Sequence, residues 1–155
     1  MTNRHCVPAA LLLIASSAGL WAADPAVGTW VLDTKKSVFL PGPAPLTQTR
    51  VYREGPDGVI ATVVTVPVKG KPATVEYPVN YDGQAYAVEG SQDFDAIKVT
   101  KVTLYRSEST LLHAGRVMAS ATRVVSADEK TLTITYKSTT RDGKDIRNTQ
   151  VYNRQ

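Results

Sequence analysis

Gly28-Thr29-Trp30-Val31-Leu32 opens the first of a series of strand-like runs, and the regular return of such runs along the rest of the chain decides the fold. Residues with strand preference alternate with polar ones over 27–33, 47–54, 59–68, 73–80, 85–88, 96–102, 106–112, 116–126, 131–138 and 145–154. Between them lie Gly55-Pro56-Asp57-Gly58, Lys69-Gly70-Lys71-Pro72, Asp82-Gly83, Ser126 to Lys130 and Asp142-Gly143. These are residues that accept positive φ or preset a turn. Turn signals every ten to fifteen residues or so predict an all-β sandwich or barrel, and no helical period survives after residue 23.

Links this short predict an up-and-down antiparallel meander of ten strands. An open meander has two unpaired edges, and pairing the first strand with the last removes both. Residues 27–33 and 145–154 are long and strand-like enough to be those partners. A closed barrel is therefore expected. An immunoglobulin-like sandwich is the rival, but its longer Greek-key crossovers fit these links less well.

The segment before the first strand reads as a leader. Met1 to Val7 is polar with Arg4, Ala9 to Leu20 is apolar, and Leu20-Trp21-Ala22-Ala23 supplies small residues for cleavage. This predicts a signal peptide over 1–23, cut near Ala22 or Ala23, and a periplasmic or secreted protein. Its apolar run falls short of the roughly twenty residues needed to span a bilayer. The single cysteine, Cys6, precedes that run, so it is not a lipoprotein acylation site and leaves with the leader. Residues 24–155 remain, enough for one domain with its own core.

Charge argues against nucleic acid. Without Arg4, 17 of the 18 basic residues face 14 acids, a net charge of about +3, and the lysines and arginines are scattered with acids between them. Nucleic-acid binders gather basic residues on one face. A membrane-spanning barrel is also disfavoured, because Lys98, Thr100, Arg147 and Thr149 occupy strand exteriors where lipid-facing strands need an apolar band.

Alternation assigns the interior where it is clean. Trp30 and Leu32 share a face, as do Val75, Tyr77, Val79 and Tyr81, then Tyr86 and Val88, then Leu132, Ile134 and Tyr136. On 116–126, Val117, Ala119, Ala121, Arg123 and Val125 share a face, and the two alanines leave space beside Arg123. The run 59–68 is apolar on both faces and gives no assignment.

Gly28-x-Trp30 on a first strand resembles the opening of the calycins, the lipocalins and fatty-acid-binding proteins. Thr122-Arg123-Val124-Val125, Lys130-Thr131-Leu132-Thr133-Ile134-Thr135 and Thr149-Gln150-Val151-Tyr152 resemble the last three strands of fatty-acid-binding proteins. The chain also resembles exported bacterial lipocalin-like proteins of unassigned function. The resemblance implies a ligand carboxylate held by Arg123 and Tyr152, with Gln150 standing where the family has a second arginine. It offers Arg123 a structural role as well, packing over the first-strand tryptophan. The family's helical lid has no counterpart, since Pro41, Pro43 and Pro45 exclude helix from 33–46 and leave an extended loop over the mouth.

Candidate ligand contacts are therefore Arg123, Tyr152, Gln150, Tyr77, Tyr81, Tyr136, Ser107 and Ser109, with Trp30 closing the barrel. Each tyrosine has a plainer role as core filler whose hydroxyl reaches a polar partner. Catalysis finds no constellation, because His113, the one histidine after the leader, falls at a hairpin turn and no cysteine remains. Asp93-x-Asp95 lacks the rest of a calcium loop, and no metal or cofactor is expected. The leading expectation is an exported barrel that binds a small hydrophobic or amphiphilic ligand. The alternatives are a barrel filled by its own side chains that acts through its surface, for which no protein partner can be named, and an enzyme using acid and tyrosine chemistry.

Overall fold

A computed structural model of the protein describes residues 23–140 and 142–155, so the expected leader lies outside them but for Ala23. The described chain is all strand: β1 (Gly28–Leu32), β2 (Val38–Leu40), β3 (Thr47–Gly55), β4 (Gly58–Val66), β5 (Ala73–Val79), β6 (Asp82–Ala87), β7 (Ala96–Lys101), β8 (Arg106–His113), β9 (Arg116–Val125), β10 (Thr131–Thr139) and β11 (Asp145–Arg154). All ladders are antiparallel, in the order β5-β4-β3-β1-β11-β10-β9-β8-β7-β6. The first and last long strands pair, Trp30 opposite Arg154 and Leu32 opposite Tyr152. The meander thus closes at its sequence ends as expected, in an arrangement compatible with a calycin-like barrel.

Every expected strand is present, and β2 is an addition. It pairs with the first half of β11, Val38 opposite Thr149 and Leu40 opposite Arg147. β1 takes the second half of β11, and the Ser37 hydroxyl joins the two by donating to Asp33 O (2.7 Å) and accepting from Val151 N (2.9 Å). The stretch 33–46 is therefore partly strand rather than wholly loop, because β11 outlasts β1 and its remaining backbone groups need partners.

The barrel's seam lies between β5 and β6. One antiparallel bridge spans it, Glu76 N to Glu89 O at 3.0 Å and Glu89 N to Glu76 O at 2.9 Å. Gly90 makes this approach possible. At φ +77°, a Cβ there would lie 2.0 Å from Thr74 O, a backbone atom that cannot yield.

One end of the barrel is plugged. Trp30 is fully buried and donates from Nε1 to Ala26 O at 2.8 Å. The Arg154 guanidinium covers its ring at 4.3 Å and donates to Pro25 O, Val27 O and Glu129 O. Arg154, not Arg123, is the arginine that packs over the tryptophan. Around Trp30 the core continues through Val59, Ala61, Val79, Val125, Leu132 and Tyr152. Burying an aromatic ring so completely contributes about 3–5 kcal/mol by the cost of truncating it.

The opposite end is the mouth, ringed by 33–46, 67–72, 88–95, the Ala114-Gly115 turn, and residues 140 and 142–144. Ala114 (φ 48°) and Gly115 (φ 76°) form the two-residue hairpin turn that suits the twist of β8 and β9. His113 beside it is exposed and lies 3.8 Å from Asp95. Next to this turn a register shift at Leu111/Leu112 delays inward alternation on β9 until Ala119, so Val117, expected inside, is 67% exposed. Among the described residues no helix is long and apolar enough to cross a membrane.

Candidate functional site

Above the Trp30 plug the side chains stop short of one another and leave a cavity of about 450 Å3. The reason is legible strand by strand. β9 offers only Ala121 next to Arg123, while β8 offers Ser107 and Ser109, so that wall is thin. The opposite wall carries long polar side chains at every second position of β3, Gln48, Arg50 and Tyr52. Val63, Val75, Val79, Val88, Ile97, Val99, Leu111 and Ile134 make most of the remaining lining apolar, and Phe94 and Tyr136 meet edge to face at 6.5 Å near the mouth. A second cleft, about 560 Å3 and walled by Phe39, Pro43, Pro45, Pro67 and Val68, shares Gln48 and Thr65 with the cavity and leads outward.

Of the expected contacts, Arg123, Gln150, Tyr77, Tyr136, Ser107 and Ser109 border the cavity. Tyr152 and Tyr81 do not. Tyr152 is fully buried behind the lining, where its hydroxyl accepts from Arg50 Nε at 2.9 Å and has the amide oxygens of Gln48 and Gln150 within reach. Tyr81, expected to continue the face of Val75, Tyr77 and Val79, lies beyond the end of β5 at φ 61° and turns toward the plug. Tyr86 likewise bonds Asp82 at 2.5 Å rather than lining the interior with Val88.

Two guanidinium groups dominate the inner end of the cavity. Arg50 donates to Tyr152 and, at 3.4 Å, from Nη1 to Tyr77. Arg123 donates from Nη2 to the Tyr81 hydroxyl at 2.5 Å and lies over the Tyr52 ring at 4.9 Å, while its buried Nε has no acceptor. Burial alone would favour the neutral form of each, but the surrounding tyrosine oxygens more than offset it and both stay charged. Tyr52 feels both cations. Burial raises its pKa, yet Arg50 and Arg123 together pull it below the ordinary tyrosine value. Tyr77, with burial and Tyr52 acting in the same direction, is pushed up to about 12.

Arg123 is connected to the outside of the plug through Tyr81. Burial pushes the Tyr81 pKa up, and Lys101 Nζ sits 4.2 Å over its ring. Asp24 follows, pairing with Lys101 at 3.2 Å and accepting from Ala26 N at 2.9 Å. Burial would raise the Asp24 pKa, but hydrogen bonds from Tyr81 and the Ala26 amide, with the charges of Arg123 and Lys101, outweigh it and hold the carboxyl below its usual value.

Sequence reasoning missed Arg50, Gln48 and Tyr52. The signal for them was their i, i+2, i+4 spacing on the strand beside Trp30, which puts all three on one face. Arg50 is the cation at Tyr152, and it comes from a different strand, while Gln150 offers Tyr152 an amide oxygen. No protein-family model, curated protein or solved structure matches this chain.

Proposed function

We propose that this protein is an exported carrier or receptor for a small amphiphilic acid, held inside the barrel with its head group at Arg50 and Arg123 and its aliphatic part toward the mouth. One observation carries the reading: a cavity of about 450 Å3 with apolar walls ends on two guanidinium groups, neither of which has a carboxylate partner among the described residues. Ligand pockets of about 300–1,000 Å3 are usually built this way, mostly apolar with a few convergent polar groups. A side-chain-filled barrel acting through its surface would have no use for that void, and buried unpaired cations are costly unless they serve a ligand. Export rests on the leader-like residues 1–23.

Native mass spectrometry on protein purified from its secreting host tests this directly. The expected result is a co-purifying or readily loaded lipid acid that is lost in Arg50→Gln/Arg123→Gln while the β-sheet circular dichroism persists. A protein that stays ligand-free against a broad lipid extract overturns the reading.

A further inference from the structure

We infer that the head group this cavity takes is a dianion, a phosphate monoester on a single aliphatic chain, rather than a monoanionic carboxylate. The inference rests on the binding role proposed above and adds the charge of the ligand to it.

Counting the charges around the inner end leads there. Arg154 pairs with Glu129 at 3.7 Å, and Lys101 pairs with Asp24 at 3.2 Å. Asp24 makes no direct contact with Arg123, which it approaches through Tyr81, and its charge acts on Arg123 and Lys101 alike. Asp93, the carboxylate that borders the cavity, belongs to the 88–95 segment at the mouth and is exposed to solvent there. Arg50, Arg123 and Lys101 set against Asp24 thus leave two positive charges in excess, and the two guanidinium groups are buried, where attraction between opposite charges is strong. A carboxylate neutralises one of them and leaves the other buried and unmatched. A phosphate monoester at neutral pH brings close to two negative charges, with three oxygens able to accept from several directions. The donors come from different walls, Arg50 on β3 and Arg123 on β9, with Tyr52 within reach of both and Ser107 and Gln150 also lining the cavity. The unpartnered Arg123 Nε marks the guanidinium edge that lacks an acceptor.

The charge of the head group can be tested first on the unaltered protein. Calorimetric titration of the purified protein with decyl phosphate, decyl sulfate and decanoate at pH 8 and pH 5 separates charge from shape. Decyl sulfate has the tetrahedral shape of the phosphate but one charge at both pH values. Decyl phosphate passes from dianion to monoanion between them, since the second pKa of such esters is about 6. The expected result is decyl phosphate binding at least tenfold tighter than decyl sulfate and decanoate at pH 8, with the gap to the sulfate closing at pH 5. In Arg50→Gln the pH 8 preference should fall to near parity. Equal binding of phosphate and sulfate at pH 8, or tighter binding of decanoate, overturns the dianion inference and leaves the amphiphile-binding role standing. Failure of all three to bind overturns the binding role itself, and this inference with it.

Discussion

Arg50 on β3 donates from Nε to the hydroxyl of Tyr152 on β11 at 2.9 Å, reaching past β1, the strand between them. An arginine and a tyrosine about a hundred positions apart in sequence are thus brought into direct contact. The contact joins the bottom of the cavity to the core, because Tyr152 is fully buried while Arg50 borders the void.

Arg50 should be a ligand contact rather than a folding requirement. Replacing Arg50 by methionine removes an unpaired buried cation and leaves the Tyr152 hydroxyl its amide partners Gln48 and Gln150. Stability should be unchanged or higher, by up to about 3 kcal/mol, as for other buried charges replaced by apolar groups. Urea denaturation checks this, and a large loss of stability would assign Arg50 to the core instead.

Tyr152→Phe should do the reverse. It keeps the ring but strands two amides and Arg50 Nε, at a cost of about 1–3 kcal/mol. Binding should weaken only to the extent that Arg50 loses its anchor, so a denaturation midpoint measured beside a ligand titration separates the two effects.

Arg154→Ala should loosen the plug. The side chain supplies three hydrogen bonds to backbone oxygens and covers Trp30. A loss of about 2–4 kcal/mol is expected, since hydrogen bonds from a charged donor contribute more than neutral ones. Trp30 is the sole tryptophan in residues 24–155, so its emission should shift to the red. Unchanged emission would mean that the ring is shielded without Arg154.

Asp24→Asn should remove an acid-sensitive part of the stability. The folded-state pKa of Asp24 is lowered, so its contribution is full above the unfolded value of about 3.9 and disappears as pH falls through the lower folded value. The difference between wild type and variant should be constant from pH 5 to 8, about 1–3 kcal/mol, and shrink below about pH 4. A difference that persists at pH 2 would place the effect elsewhere.

Gly90→Ala should open the seam. Its Cβ would press on Thr74 O from a positive φ, so the Glu76–Glu89 bridge should give way before the rest of the barrel. Faster amide hydrogen exchange confined to residues 74–77 and 87–91 is the expected outcome, read by mass spectrometry.

What the sequence exposed of the site depended on which faces were chemically distinct. Arg123 stood out because Ala119 and Ala121 precede it on one face of β9, and small neighbours imply space. On β3 the pattern Thr-Gln-Thr-Arg-Val-Tyr-Arg-Glu is polar on both faces, so the spacing that groups Gln48, Arg50 and Tyr52 did not say whether their face or that of Arg53, which pairs outside with Glu76 at 3.3 Å, looks inward. Val117 misled for a different reason. Its side follows from alternation only if the register is unbroken, and the shift at Leu111/Leu112 breaks it.

By itself, the sequence determined that the chain from residue 24 onward is all β, where its ten long strands lie, and that its ends close on one another. Those are local properties, set by side-chain period and by turn residues within a few positions. Only the tertiary structure decided that the seam falls between β5 and β6, that Arg154 covers Trp30, and that Arg50 joins Arg123 over a common cavity. These depend on strand register and barrel tilt, which bring residues about a hundred positions apart into contact and leave no periodic trace in the chain.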